Sequence, residues 1–335
     1  MGELDICCTQ LGIKLAAYNL GRRVTRLSQA DFSQHQMQAQ PYPYPLQQHA
    51  LVAITLEHPS APFEPAIWCL KLPLDEQGCI DFPSVHHIAG LLQNSFNHAV
   101  DGEERESMLK NNPFAISPSQ QQLALLTSLI RKDKKQPASK YYEQVAEYFS
   151  GQTEISQWQN LSLQGIADLA TRRDAMTFMQ AEQLNRFPPE AIAGFAAAAE
   201  QTGVSSNQAE QISIALMAEK DLQRQLLYVR CILHPENHNL LEKALDKLLT
   251  GSLGAEPDLY ILIAGRGWEL LKGQNLKIYL ERLAALEDIP LFVSLLTDLF
   301  GIPSLKAELH MAIRSPERSA ELANAIGHFF KAVRG

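Results

Sequence analysis

The spacing of apolar positions divides the chain into two textures. Up to residue 110, short apolar runs alternate with turn residues. Beyond it, apolar residues recur every three or four positions almost to the end. In the first part, HALVAITL (49–56) and AIWCLKL (66–72) read as strands. Trp68, Leu70 and Leu72 fall on one side at period two, as a sheet packed against a core requires. The intervening EHPSAPFEP (57–65), with three prolines, reads as a loop, and LDEQG (74–78) as a turn. Residues 13–20 and 24–27 predict a hairpin turning at Gly21. Ser28 with Asp31 three positions on resembles a capping box that opens a helix through Met37. A further helix is predicted over 84–98, and the first residues, with Cys7 and Cys8, read as a helix with buried positions. The order helix–strand–strand–helix–strand–strand–helix predicts a small α+β domain over residues 1–110.

After the polar linker DGEERES (101–107), the pattern predicts an all-helical domain over residues 111–335. Ser117, Pro118 and Gln120 carry helix-start chemistry, and Leu123, Leu126 and Ile130 follow at helical spacing. Pro189, Pro235, Pro257, Pro290, Pro303 and Pro316 each precede an apolar-periodic run and mark helix starts. Helices of ordinary length with short connections would number about ten to twelve. The intervals between those prolines (46, 22, 33, 13 and 13) show no fixed repeat. An irregular HEAT- or armadillo-like α-solenoid is therefore expected ahead of a compact multi-helical array, because one core does not easily serve so many short helices.

Composition narrows the class. The chain has 335 residues, 46% of them apolar and 20% charged, with a formal net charge of −8. Residues 1–110 carry 7 Lys/Arg against 12 Asp/Glu, and the remainder 22 against 25, so the two parts contribute −5 and −3. Neither part supplies the basic stripe that a nucleic-acid surface needs, and nucleic acid is disfavoured as a partner. The acidic N-terminus MGELDICC is not a secretory signal. The most apolar late stretch (289–299) is broken by Pro290, Ser294, Thr297 and Asp298 and is too short to cross a bilayer. Five irregularly spaced cysteines (7, 8, 69, 79 and 231) suit free thiols in a reducing compartment. A soluble cytoplasmic protein is expected.

Candidate chemistry is sparse. PYPYPLQQH (41–49) would hold Tyr42 and Tyr44 on a stiff polyproline-like backbone, with His49 beside them. That geometry suits a partner surface, and equally a rigid connector across its own domain. Arg22 and Arg23 could clamp an anion bidentately, or serve as one paired and one solvated side chain of a strand. AGRGWE (264–269) places two glycines in a helical run, with Arg266 and Trp268 beside them. The glycines fit either a groove site or close helix packing. Cys231, His234 and His238 lack a fourth ligand, so no metal is expected. The sequence contains no G-x-S-x-G elbow and no P-loop, and no cofactor is expected. The run Arg131–Lys135 reads as a solvated linker.

At GRRV (21–24), PYPYPLQQH (41–49), PAIWCLKLPLDEQG (65–78) and AGRGWE (264–269), the chain resembles a bacterial family of uncharacterised proteins, a domain of unknown function of similar length. The resemblance implies a cytoplasmic bacterial protein and supplies no activity, cofactor or catalytic residue. The leading expectation is a non-catalytic binding or scaffold protein with a protein partner. The rival is an enzyme with an interdomain site, using Arg22 or Arg23 for an anionic substrate and His49 or Asp75 as acid or base. A nucleic-acid-binding superhelix stands third. The pattern implies no oligomeric state.

Overall fold

A computed structural model describes residues 1–57, 65–97, 107, 111–172 and 180–334. Most of the loop expected at 57–65, the linker at 101–107 and the last position of the helix expected at 84–98 lie outside the described residues. The chain forms two compact units: Met1–Ser119 with Gly301–Ser304, and Gln120–Phe300 with Leu305–Gly335.

The first unit contains α1 (Glu3–Gln10), β1 (Lys14–Asn19), β2 (Thr25–Leu27), α2 (Gln29–Gln36), β3 (His49–Glu57), β4 (Ala66–Pro73) and α3 (Phe82–Asn97). All strand pairs are antiparallel and the sheet order is β2-β1-β3-β4. The register pairs Val52 with Leu70 and Ile54 with Trp68. At period two, these side chains share one face with Ala17, Leu27 and Leu72. They form a single core with Leu4 of α1, Phe32 of α2 and Val85, Ile88 and Leu92 of α3. Ser28 caps α2 as its spacing predicts, its hydroxyl accepting from Asp31 N–H at 3.1 Å. Gln36 of α2, almost fully buried, accepts from the Leu4 N–H at 2.8 Å and so docks the open end of α1. The outer edge of β4 is covered by the chain near residue 115, with Lys71 N–H on Phe114 O (2.8 Å) and Ile116 N–H on Cys69 O (3.0 Å).

The second unit is helical: α4 (Gln120–Asp133), α5 (Tyr142–Phe149), α6 (Leu163–Thr171), α7 (Ala181–Leu184), α8 (Pro189–Thr202), α9 (Ser206–Ala218), α10 (Leu222–Ile232), α11 (His238–Thr250), α12 (Pro257–Arg266), α13 (Gly273–Ala284), α14 (Ile289–Phe300), α15 (Lys306–Arg314) and α16 (Ala320–Arg334). The α4 helix begins two residues beyond Pro118. Its buried side carries Leu126 and Ile130 with Leu125, while Leu123 faces outward. Pro189 and Pro257 occupy N1, where a missing N–H costs nothing. Pro235 and Pro303 open short 3₁₀ turns that lead into α11 and α15. Pro316 differs from the expectation. It follows the C-cap Ser315 of α15, and α16 starts four residues later, where the Ser319 hydroxyl accepts from Leu322 N–H. Packing links alternate helices in one row, α4–α6–α8–α10–α12–α14–α16.

No single helix among the described residues is long and apolar enough to cross a membrane. Residues 289–300 and 303–314 reach that length and apolarity only as a pair, and that pair is bent by 101°. Phe292, Leu295, Leu296 and Leu299 of α14 are buried within the protein.

Candidate functional site

Three helices of the second unit, α8, α10 and α12, share a surface cleft of about 710 Å³. They run in the same direction. Arg224, in the first turn of α10, donates to the carbonyls of Leu184 (3.1 Å), Asn185 (3.2 Å) and Phe187, just ahead of α8. At the other end Arg230 of α10 meets Glu200 of α8, and Arg266, in the last turn of α12, meets the same carboxylate. Between the ends, the wall is apolar: Ala193 of α8, Leu226 and Leu227 of α10, and Ile261 and Leu262 of α12. Ile261 is 47% exposed and faces the cleft beside Leu262. The first turns contribute exposed Glu190 and Asp258, placed where a helix N-terminus favours negative charge.

Glu200 organises the far end. Its side chain is only 2% exposed, against 30% for Arg230 and 34% for Arg266. Arg230 grips it through two nitrogens: Nε bonds Oε2, and Nη2 bonds Oε1 at 3.0 Å. Arg266 Nε donates to Oε1 at 2.9 Å and Gln201 Nε2 to the same oxygen at 3.1 Å. This bonding to Glu200 pushes the Arg230 guanidinium further up, and desolvation only partly opposes it. One buried carboxylate thus holds two guanidinium groups at the cleft end. The flanking glycines divide the work. A Cβ at Gly265 would meet open space in the cleft, whereas one at Gly267 would lie 2.6 Å from Leu233 Cδ2, so Gly267 serves close packing.

Of the candidate binding side chains singled out in the sequence, only Arg266 lies in this cleft, with Gly265 beside it. Trp268 is buried in the 3₁₀ turn after α12. The others belong to the first unit. Tyr42 is fully buried, with its hydroxyl on Asn19 Oδ1 and its ring edge-on to Tyr44 and His35. Arg22 and Arg23 are both buried in the turn between β1 and β2. Arg22 Nε donates to Pro45 O at 2.8 Å. Asn19 ties this turn together, accepting from Gly21 N–H at 3.1 Å and donating to Arg23 O. His49 Nδ1 lies 2.6 Å from Gln47 O. Asp75 accepts from the N–H groups of Gln77 (2.9 Å) and Cys79 (2.8 Å), closing the turn expected at LDEQG. Arg22, Tyr42 and Tyr44 therefore come together around the segment 41–46, as internal supports.

Sequence reasoning missed Glu200 and Arg230. Each is a lone charge in an apolar helical run, AAAAEQ and LYVRCIL, and burial on both sides of such a charge demands a partner. Cys231, His234 and His238 do not converge. Cys231 is fully buried, with its thiol pushed up to about 12 by desolvation. His234 Nδ1 accepts from Glu236 N–H at 3.4 Å, and His238 Nε2 lies 3.0 Å from Leu233 O. Among the described residues, no three His, Cys, Asp or Glu side chains gather in a way that could hold a metal.

These features define a protein with a four-stranded α+β unit and a helical unit that bears an apolar cleft closed at one end by an Arg–Glu–Arg cluster. The chain belongs to the family described as Protein of unknown function (DUF3549), whose model matches residues 6–330. Comparison with curated proteins and with solved structures finds no match, so no relative assigns an activity.

Proposed function

We propose that the chain is a non-catalytic binding or scaffold protein of the bacterial cytoplasm, and that its helical unit is an irregular HEAT-like α-solenoid holding a protein partner in the α8–α10–α12 cleft. The carrying observation is the cleft itself, an open apolar wall with a half-exposed isoleucine, backed by three co-directional helices. The row of alternate helices from α4 to α16 supports the solenoid reading. Glu190, Glu200 and Asp258 against Arg230 and Arg266 give the lining one more acid than base, the wrong balance for a phosphate backbone. Five free, buried thiols agree with a reducing compartment.

The test is recovery of partners from native lysate with wild-type protein and with Ile261→Glu. The substituted side chain is half-exposed, so folding is retained. The expected outcome is a specific protein recovered by wild type and lost with the variant. Equal recovery by both, or no specific recovery by wild type, overturns the reading.

A further inference from the structure

The cleft has two chemically different ends, and their arrangement constrains what fills it. Glu190 and Glu200 are ten positions apart on α8, so the cleft extends about 15 Å along the helices, between two and three turns. Its acidic end, Glu190 and Asp258, coincides with the N-terminal turns of α8 and α12. Its basic end, Arg230 and Arg266, coincides with the C-terminal turns of α10 and α12, where the backbone carbonyls leave partial negative charge.

We infer that the occupant is an amphipathic helix of a partner protein, lying antiparallel to α8, α10 and α12, with acidic residues in its first turn and Lys or Arg in its last. This rests on the binding reading above. The antiparallel direction sets the occupant's positive dipole end against the negative ends of the groove helices. Acids in its first turn then face Arg230 and Arg266, and bases in its last turn face Glu190 and Asp258. Both charge placements also suit the occupant's own dipole, so isolated helix stability and docking favour the same sequence. An aliphatic stripe at spacing three and four would lie on Leu227, Ile261 and Leu262. A parallel occupant would need bases first and acids last, against its own dipole.

Two fluorescein-labelled peptides of about fifteen residues test this. They share one leucine stripe and one composition; the first carries Glu in its first turn and Lys in its last, the second the reverse. Fluorescence anisotropy should show the acid-first peptide binding about tenfold more tightly. Ile261→Glu should abolish binding, and Glu190→Lys with Asp258→Lys should narrow the preference, which differing peptide helicity alone would not do. Equal affinities, or a preference unchanged by the double lysine variant, overturn the inference. So does binding of neither peptide together with saturable binding of dodecanoate that Ile261→Glu abolishes, which would make the cleft a small-molecule site. A wild-type dimer in sedimentation that Ile261→Glu dissociates also overturns it in favour of a second copy. If neither peptide binds while lysate recovery still depends on Ile261, the helix inference falls and the binding reading stands. If both fail, both fall.

Discussion

At the residue scale, the physics is that of buried polar groups. Asn19 and Glu200 each satisfy several partners from inside the protein, Asn19 through Gly21, Arg23 and Tyr42, Glu200 through Gln201, Arg230 and Arg266. Removing the central group leaves its partners half-satisfied, at a cost that grows with how far water is kept from them. Glu200→Ala should destabilise the helical unit by about 3 kcal/mol, since it strands two guanidinium groups at once. Urea unfolding measures this. A loss below about 1 kcal/mol would mean that the half-exposed arginines are already well solvated.

At the element scale, the segment leading into β3 is under local strain. Leu46 and His49 exchange backbone hydrogen bonds of 2.9 and 3.1 Å, closing a two-residue turn in which Gln47 and Gln48 both have positive φ, 50° and 61°. Positive φ at both central residues is what a type I′ turn requires, and that turn favours Asn-Gly. The side chains of two glutamines oppose it, and the surrounding contacts hold it, including Leu74 N–H on Gln48 O at 3.0 Å. Gln47→Asn with Gln48→Gly should therefore stabilise the first unit by about 1 kcal/mol. A thermal midpoint that falls or stays level would show that the glutamine side chains make compensating contacts.

At the scale of the whole molecule, burial of the thiols ties stability to alkaline pH. Desolvation pushes Cys8 and Cys231 up to about 12 and Cys69 up to about 11 from an ordinary 9.0. Tyr42 and Tyr279, both buried, shift in the same direction. Each group ionises more readily unfolded than folded. Their contribution is full below about pH 9 and is lost as pH rises through the folded values. Urea midpoints should fall between about pH 9 and about pH 11, with Cys231 alone responsible for on the order of 2 kcal/mol at the upper end. The same slope in Cys231→Ala would refute that assignment.

The elements were legible in the sequence because their causes are local. Alternation over 66–72 placed Trp68, Leu70 and Leu72 on the core face. Ser28 and Asp31 marked the start of α2, and Pro189 and Pro257 the starts of α8 and α12. Arg266 was legible as a candidate for the same reason, a charge beside glycines in a helical run. Its partners were not. Glu200 stands thirty positions from Arg230 and sixty-six from Arg266. Nor could a Pro-Tyr run declare by itself that Tyr42 would be buried against Asn19 while Tyr44 packed edge-on beside it. Periodicity and capping act between neighbours in the chain, so the sequence alone determined most helices, strands and turns, the boundaries at Pro118 and Pro316 excepted. Desolvation and charge pairing act between neighbours in space. Only the tertiary structure decided which buried charges would meet, and that the cleft would be apolar along its wall, acidic at one end and basic at the other.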